Sequence, residues 1–504
     1  MPALFSPTTT TCTTTNGHAQ ELDDEAVLLD DGFAESDAAT SRIHELRTTP
    51  LFTREGYSNT SLRQEIHQYG VLGRITSPSF QTTAGFVATD DPDRLYINTN
   101  APLSAVVCGV QGSGKSHTVS VIMESMFIST CTAIGKLEKP LAGLVLHFGE
   151  TGSSSSPCEA AYLGQSHVPG VNPPPVIVYV SPGSLKRLRK LYAPLGSNVQ
   201  VRPLYFAESE LDASAFLSMM AVSSSENAPL YIQSVLSILR NLGDDYTYTV
   251  FLRRLEELKE GLNPAQLCSL KQRMELLETF TRPKTRHHGP ASSIAETRFM
   301  QGQITIVDLS DPFVDPPSAC AIFEIILRLF ERAEVDTGKV LLVDEAHKYL
   351  SQNKTSTGLT KALLSAIRQE RHLSMRIIVS TQEPTVIPPV FIDLCSVVIL
   401  HRFSSLAWWE HLSKHVSADL SDADSFDRVV RLKTGQAIVL APSGLGALAS
   451  PASNGRIMNH EGSSESGDEE TELREPIPFG RRFFVVKTRR RVTADGGASL
   501  LAVV

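Results

Sequence analysis

The chain has 504 residues, 41% of them hydrophobic and 20% charged, an ordinary globular composition whose length suggests roughly two to four domain-sized pieces. Its net charge of −9 is uneven: residues 1–60 carry −7 and residues 451–475 carry −5, leaving +3 elsewhere, which is no nucleic-acid footprint. Seven cysteines at 12, 108, 131, 158, 268, 320 and 395 show no CxxC or Cys/His spacing, so neither a zinc site nor a disulfide framework is indicated.

Residues 1–55 open with a Thr-rich run and continue into an acidic stretch. Such a segment buries too little apolar surface to offset its ordering entropy, and a disordered tail is expected. It has no apolar signal-peptide core, and its first basic residue is Arg42, which speaks against a secretory or mitochondrial leader. The longest apolar run, Val386 to Leu400, contains Pro388, Pro389 and Asp393, so no membrane span is expected. A soluble intracellular protein, cytoplasmic or nuclear, follows as the expectation.

Residues 56–100 are read as a short β-containing segment and 101–228 as the first half of an α/β domain. The apolar run at 104–109 leads into Gly109-Val110-Gln111-Gly112-Ser113-Gly114-Lys115-Ser116, which satisfies GxxxxGK[ST]. Beyond it, Val119, Ile122, Met123 and Met126 recur at helical spacing. Glycines let the backbone turn its N–H groups toward an anion, and a helix start adds unsatisfied donors. Lys115 is expected to reach the β- and γ-phosphates, and the Ser116 hydroxyl to ligate Mg²⁺. The nucleotide-binding segment is taken as Gly109 to Ser116 with His117, and the expected ligands are ATP and Mg²⁺.

Further strands are expected at 143–148 and 175–180, then an all-helical insertion over 229–300 with one helix starting at Asn263–Pro264. The 301–442 half brings strands at 303–309, 339–344, 375–381, 396–401 and 436–441. Their continuous Val/Ile/Leu character suits strands buried on both faces of a mostly parallel sheet. Between the first two, Asp315 and Pro316 open a helix whose face is Ala319, Ile322, Phe323, Ile326 and Phe330. The 339–344 strand ends in Asp344 and Glu345, suited to holding Mg²⁺ and polarising the attacking water. The 375–381 strand ends before Gln382, which is placed to orient water against the γ-phosphate. Residues 443–475 read as a disordered acidic loop, and 476–504 as a strand and basic tail in which Arg489-Arg490-Arg491 form a solvated face or, as the lesser alternative, a phosphate or neighbour-subunit contact.

The segments GVQGSGKS, VLLVDEAHKYL and RIIVSTQEP together resemble the HerA–FtsK superfamily of P-loop ATPases, and within it HerA-like ATPases, fungal ones included. The resemblance covers about residues 95–442 and resumes over 476–497. It implies a RecA-like sheet, a homo-oligomeric and hexameric ring, and DNA as a partner. Lys115 and Ser116 match the Walker A pair, Asp344 and Glu345 the Walker B pair, and Gln382 the polar residue after the next strand. The segment around Arg368 and Arg371, at the end of an expected 358–373 helix, resembles the place of a trans-acting arginine, and Arg371 is favoured.

Two other readings compete. Residues 344–347 spell the DEAH box of a helicase family, but only 157 residues follow, and the next strand ends in Ser-Thr-Gln rather than Ser-Ala-Thr. A nucleotide-dependent switch or scaffold without a polymer substrate suits the acidic segments and the lack of a net basic surface.

Overall fold

The computed structural model describes residues 34–78, 93–150, 152, 155–219, 230–281, 298–350, 358–416, 423–446 and 476–497. In chain order the strands are β1 Leu51–Thr53, β2 Tyr69–Pro78, β3 Arg94–Asn98, β4 Leu103–Cys108, β5 Gly135–Lys136, β6 Ala142–His147, β7 Val176–Val180, β8 Val199–Pro203, β9 Ile304–Asp308, β10 Lys339–Val343, β11 Met375–Thr381, β12 Val397–His401, β13 Gln436–Leu440, β14 Leu445–Gly446, β15 Ile477–Pro478 and β16 Phe483–Thr488. They form one 16-stranded sheet in the order β15-β14-β1-β3-β2-β16-β13-β12-β4-β11-β10-β6-β9-β7-β8, with β5 hydrogen-bonded to β2.

From β12 to β8 every neighbouring pair is parallel. These strands are the continuous apolar runs of the sequence, and β4, β6, β7, β9, β10, β11 and β12 are buried along their whole length. Burial on both faces is the reason that their side chains do not alternate in polarity. The fold is α/β, with the P-loop strand β4 between β12 and β11 and β10 next beyond, the RecA-like arrangement that the resemblance implied.

The other flank is mostly antiparallel and joins strands from before β4 to strands from after β12. Strand β16 lies between β13 and β2, and β3 and β1 follow, each antiparallel to the strand before it, while β14 pairs with the outer side of β1 in parallel. Residue 55 therefore does not mark where structure begins, as the composition suggested. A helix spans Ala34–Thr48, and Leu46 and Phe52 pack with Leu62, Ile66, Tyr96 and Leu445. The local segment is too polar to build a core, but Leu445 supplies an apolar partner from far along the chain. Residues 1–33 of the expected tail lie outside the described residues. Likewise β14 falls within the loop expected over 443–475, whose remainder from 447 is outside the described residues.

The helical insertion comprises helices Leu230–Leu242, Tyr248–Lys259 and Pro264–Thr279. Asn263 caps the third: its side chain accepts from the Gln266 N–H at 2.9 Å, and Gln266 accepts in return from the Asn263 N–H. Val235, Phe251, Leu255, Leu270 and Leu277 belong to the same core as the sheet, so the insertion is not a separate body. The helix Pro316–Arg332 buries Ala319, Ile322, Phe323, Ile326 and Phe330 as their spacing requires. Asp315 precedes it in extended conformation without a side-chain capping bond. Pro317 occupies the second position and has no N–H, which removes one of the two donors that such a cap would bond. No helix among the described residues is long and apolar enough to cross a membrane.

Candidate functional site

All the parallel strands point the same way, so their carboxyl ends form one edge. There β4 delivers the chain into the P-loop and β11 ends at Thr381, next to Gln382. Strand β10 ends at Val343, just before Asp344 and Glu345. On its far side β6 ends at His147, level with Asp308 of β9. Three motifs distant in sequence thus meet on adjacent strands.

The P-loop is held by backbone contacts. The Val110 N–H donates to the Arg402 carbonyl at 3.1 Å, and the Ser113 hydroxyl donates to the Val110 carbonyl at 2.7 Å. The Gly435 N–H donates to the Ser113 carbonyl at 3.0 Å, which packs the turn before β13 against the loop. Gly114 has φ +111°, and a β-carbon there would lie 2.9 Å from the Gly435 backbone. Both the left-handed backbone and the close approach therefore require glycine. Gly109 is similarly constrained, since its β-carbon would meet the His401 side chain at 2.6 Å.

Lys115 opens the helix Lys115–Phe127 and is buried. Burial lowers its pKa, while Glu345 and Asp344 pull it back up. Gln111 and Gly112 are exposed at the crest of the loop. Ser116 and Asp344 line one small cavity with Ser120 and Glu159, so a hydroxyl and a carboxylate of the kind that holds Mg²⁺ face the same space. His117 closes the expected nucleotide-binding segment, and its ring faces away from the loop crest. Its ring lies 2.8 Å from the Arg489 carbonyl, toward the C-terminal segment, leaving only its backbone for an anion.

Asp344 is buried, and its Oδ2 lies 3.0 Å from His147 Nδ1 and 3.9 Å from Cys158 Sγ. Burial opposes ionisation of this carboxyl, but the His147 bond and the Lys115 charge outweigh it and hold the pKa below the ordinary value. For His147 burial opposes protonation, and the neighbouring Cys158 and Asp344 overcome it and raise the pKa.

Glu345 has φ +50°, a left-handed conformation rare outside glycine. That turn directs its carboxylate toward β11, where the Gln382 amide donates to Oε2 at 2.9 Å. His347 Nε2 lies 3.4 Å from the same oxygen, and His347 Nδ1 accepts from the Gln382 N–H at 3.4 Å. Burial lowers the His347 pKa. Glu345, Gln382 and His347 are thus a single bonded group.

Arg368 and Arg371 are not part of this edge. The helix Gly358–Arg368 ends earlier than the expected 373, and both arginines are exposed near the start of β11. Seven residues of β11 separate that end from Gln382, roughly 20 Å of strand. The basic run also departs from expectation. Arg489 donates to buried Glu124 at 2.6 Å, and Arg491 pairs with Glu159 at 2.5 Å, which leaves only Arg490 as a solvated member.

Sequence reasoning missed His147, Cys158 and His401. The first had a signal: a polar residue ending a buried strand, like Asp344. His401 ends β12 beneath the P-loop with Nδ1 3.0 Å from the Gln436 carbonyl, and its buried Nε2 has no hydrogen-bond partner among the described residues. Burial and the nearby Lys115 charge push its pKa down to about 3.

No protein family matches the chain, and no curated protein does. Solved structures do. The genome packaging NTPase B204 from Sulfolobus turreted icosahedral virus 2, in complex with ATP-gammaS, is 17% identical over 31% of this chain and 68% of its own, with a TM-score of 0.23. VirB4 of Thermoanaerobacter pseudethanolicus is 12% identical over 74% of this chain and 94% of its own, with a TM-score of 0.40. The bacterial conjugative coupling protein TrwBdeltaN70 is 10% identical over 67% of this chain and 82% of its own, with a TM-score of 0.40.

Proposed function

We propose that the chain is a Mg²⁺-dependent ATPase of the motor type, working as a homo-oligomeric ring. The observation that carries this reading is the meeting of Lys115, Ser116, Asp344, Glu345 and Gln382 at the carboxyl ends of β4, β10 and β11. Backbone N–H groups of the P-loop and Lys115 bind the phosphates. Ser116 and Asp344 would hold Mg²⁺, which when bound neutralises phosphate charge. Glu345 takes the proton of the attacking water, and Gln382 and His347 fix its carboxylate in place. The family resemblance adds DNA as the translocated polymer and Arg371, or Arg368, as a cation supplied to a neighbouring subunit. Their exposure and their distance from their own P-loop support a role at a neighbour's site rather than their own.

The test is ATP binding and turnover of the full chain, with and without single-stranded DNA, duplex DNA or RNA. Lys115→Ala removes a charge-assisted phosphate contact and is expected to abolish measurable ATP binding. Unchanged affinity in that variant would remove the site assignment. Stimulation by DNA is the expected result for a translocase. Turnover indifferent to every polymer would leave the switch or scaffold reading instead.

A further inference from the structure

We propose that His147, Cys158 and Asp344 form a binding site for a thiophilic divalent metal ion of the zinc type, sharing Asp344 with the Mg²⁺ position. All three side chains are buried, and one ligand atom from each lies within 4.8 Å of the others. They come from three separate places: the end of β6, the turn before residues 159–164, and the residue after β10. A thiol with an imidazole and a carboxylate suits zinc, whereas Mg²⁺ prefers oxygen donors alone.

The spacing is close to what one ion needs. Zinc holds sulfur, nitrogen and oxygen ligands at about 2.0–2.3 Å, so tetrahedral donors stand about 3.3–3.8 Å apart. Asp344 Oδ2 already lies 3.0 Å from His147 Nδ1 and 3.9 Å from Cys158 Sγ. The third pair, His147 with Cys158, stands within the 4.8 Å that bounds the cluster, and a bound ion would draw those two ligand atoms together. Its outer contacts are in place: the Cys158 N–H donates to Tyr192 Oη at 3.0 Å, and that hydroxyl donates to Asp308 at 2.7 Å. They fix the main chain from which the Cys158 thiol reaches the site. Gly149 makes room for the imidazole, since a β-carbon there would lie 2.8 Å from His147 Nε2. Three protein ligands leave one position open, the usual form of an exchangeable zinc site.

The consequence rests on the function proposed above. An ion held by Asp344 draws that carboxylate away from Mg²⁺, so zinc and Mg²⁺-ATP oppose each other.

Cobalt(II) tests the site on the full chain after chelation and dialysis. One equivalent is expected to give a thiolate-to-cobalt charge-transfer band in the near ultraviolet, and Zn²⁺ should bleach it. Cys158→Ser should abolish the band and weaken Co²⁺ binding at least about tenfold, while Cys268→Ser, at an exposed thiol, keeps both. Mg²⁺-ATP should weaken Co²⁺ binding. Absence of the band in the unaltered chain overturns the proposal, as does a band that survives Cys158→Ser, even if that variant is poorly folded. ATP binding measured on the metal-free protein separates the two readings. A cobalt band without ATP binding upholds the metal site and removes the ATPase, and ATP binding without a band does the reverse.

Discussion

Glu345 stands in a left-handed backbone conformation, which costs a non-glycine residue of order 1–3 kcal/mol and persists only where the surroundings over-determine it. The Gln382 amide and His347 are those surroundings. Glu345→Gln keeps the shape and removes the proposed base, so the variant should bind ATP normally and turn it over roughly 10²–10⁴-fold more slowly. Single-turnover kinetics check this, and an unchanged rate would show that another group takes the proton. His401 makes a prediction about pH. Its folded pKa, down at about 3, lies below the ordinary value of 6.5, so between the two the unfolded chain binds more protons. Stability from this residue is therefore complete above about pH 6.5 and falls as the pH drops toward 3, by up to about 1.4 kcal/mol per pH unit. Urea unfolding at pH 7, 6, 5 and 4 should show a shallower loss for His401→Asn than for the unaltered chain. Equal slopes would mean that His401 is protonated without penalty.

The P-loop helix Lys115–Phe127 is buried almost all round, including Glu124. That carboxylate accepts from the Arg489 guanidinium, the Val492 and Thr493 N–H groups, and the Thr493 hydroxyl. Arg489 also donates to the carbonyls of Val71 and Val121. The far end of the chain is thus fastened to the helix that carries Lys115. Removing one partner of a buried pair leaves the other charge uncompensated, at a cost of about 3–5 kcal/mol. Glu124→Gln and Arg489→Met should each destabilise the protein by that order in chemical denaturation, and the double variant should lose less than the sum. Strict additivity would show that the two charges do not depend on each other. The basic run read as a solvated face because nothing nearby in sequence announces its partners: Glu124 is 365 positions from Arg489.

In the proposed ring, one subunit would complete another's site. A cation at the transferring phosphoryl group can be worth about 10³–10⁵ in rate. Lys115 lies in the subunit's own P-loop, and Arg368 and Arg371 stand at the other end of β11. Arg371→Ala and Lys115→Ala proteins, each inactive alone, are expected to regain partial ATPase activity when mixed. Full activity of Arg371→Ala by itself, or a strictly monomeric mass with ATP and Mg²⁺, rules out a shared site. A surface arginine near a helix C-terminus contributes only about 0.3–1 kcal/mol to stability, so its loss would leave folding nearly intact and the test clean.

Much of this was legible in the sequence. The doubly buried strands are continuous apolar runs, and their polar ends mark the edge where Asp344, Gln382 and His147 stand. The P-loop is legible because glycine at left-handed positions beside a lysine leaves few other uses. Partnership, by contrast, came only with folding. Cys158 has no metal-ligand spacing in the sequence, yet the parallel pairing of β6 with β10 brings His147 and Asp344 together, and the turn at Cys158 closes on them. The antiparallel flank is equally hidden, since β2 and β16 pair across most of the chain. Local pattern sets which residues seek burial or charge. Which distant residue answers is fixed only when the strands choose their neighbours.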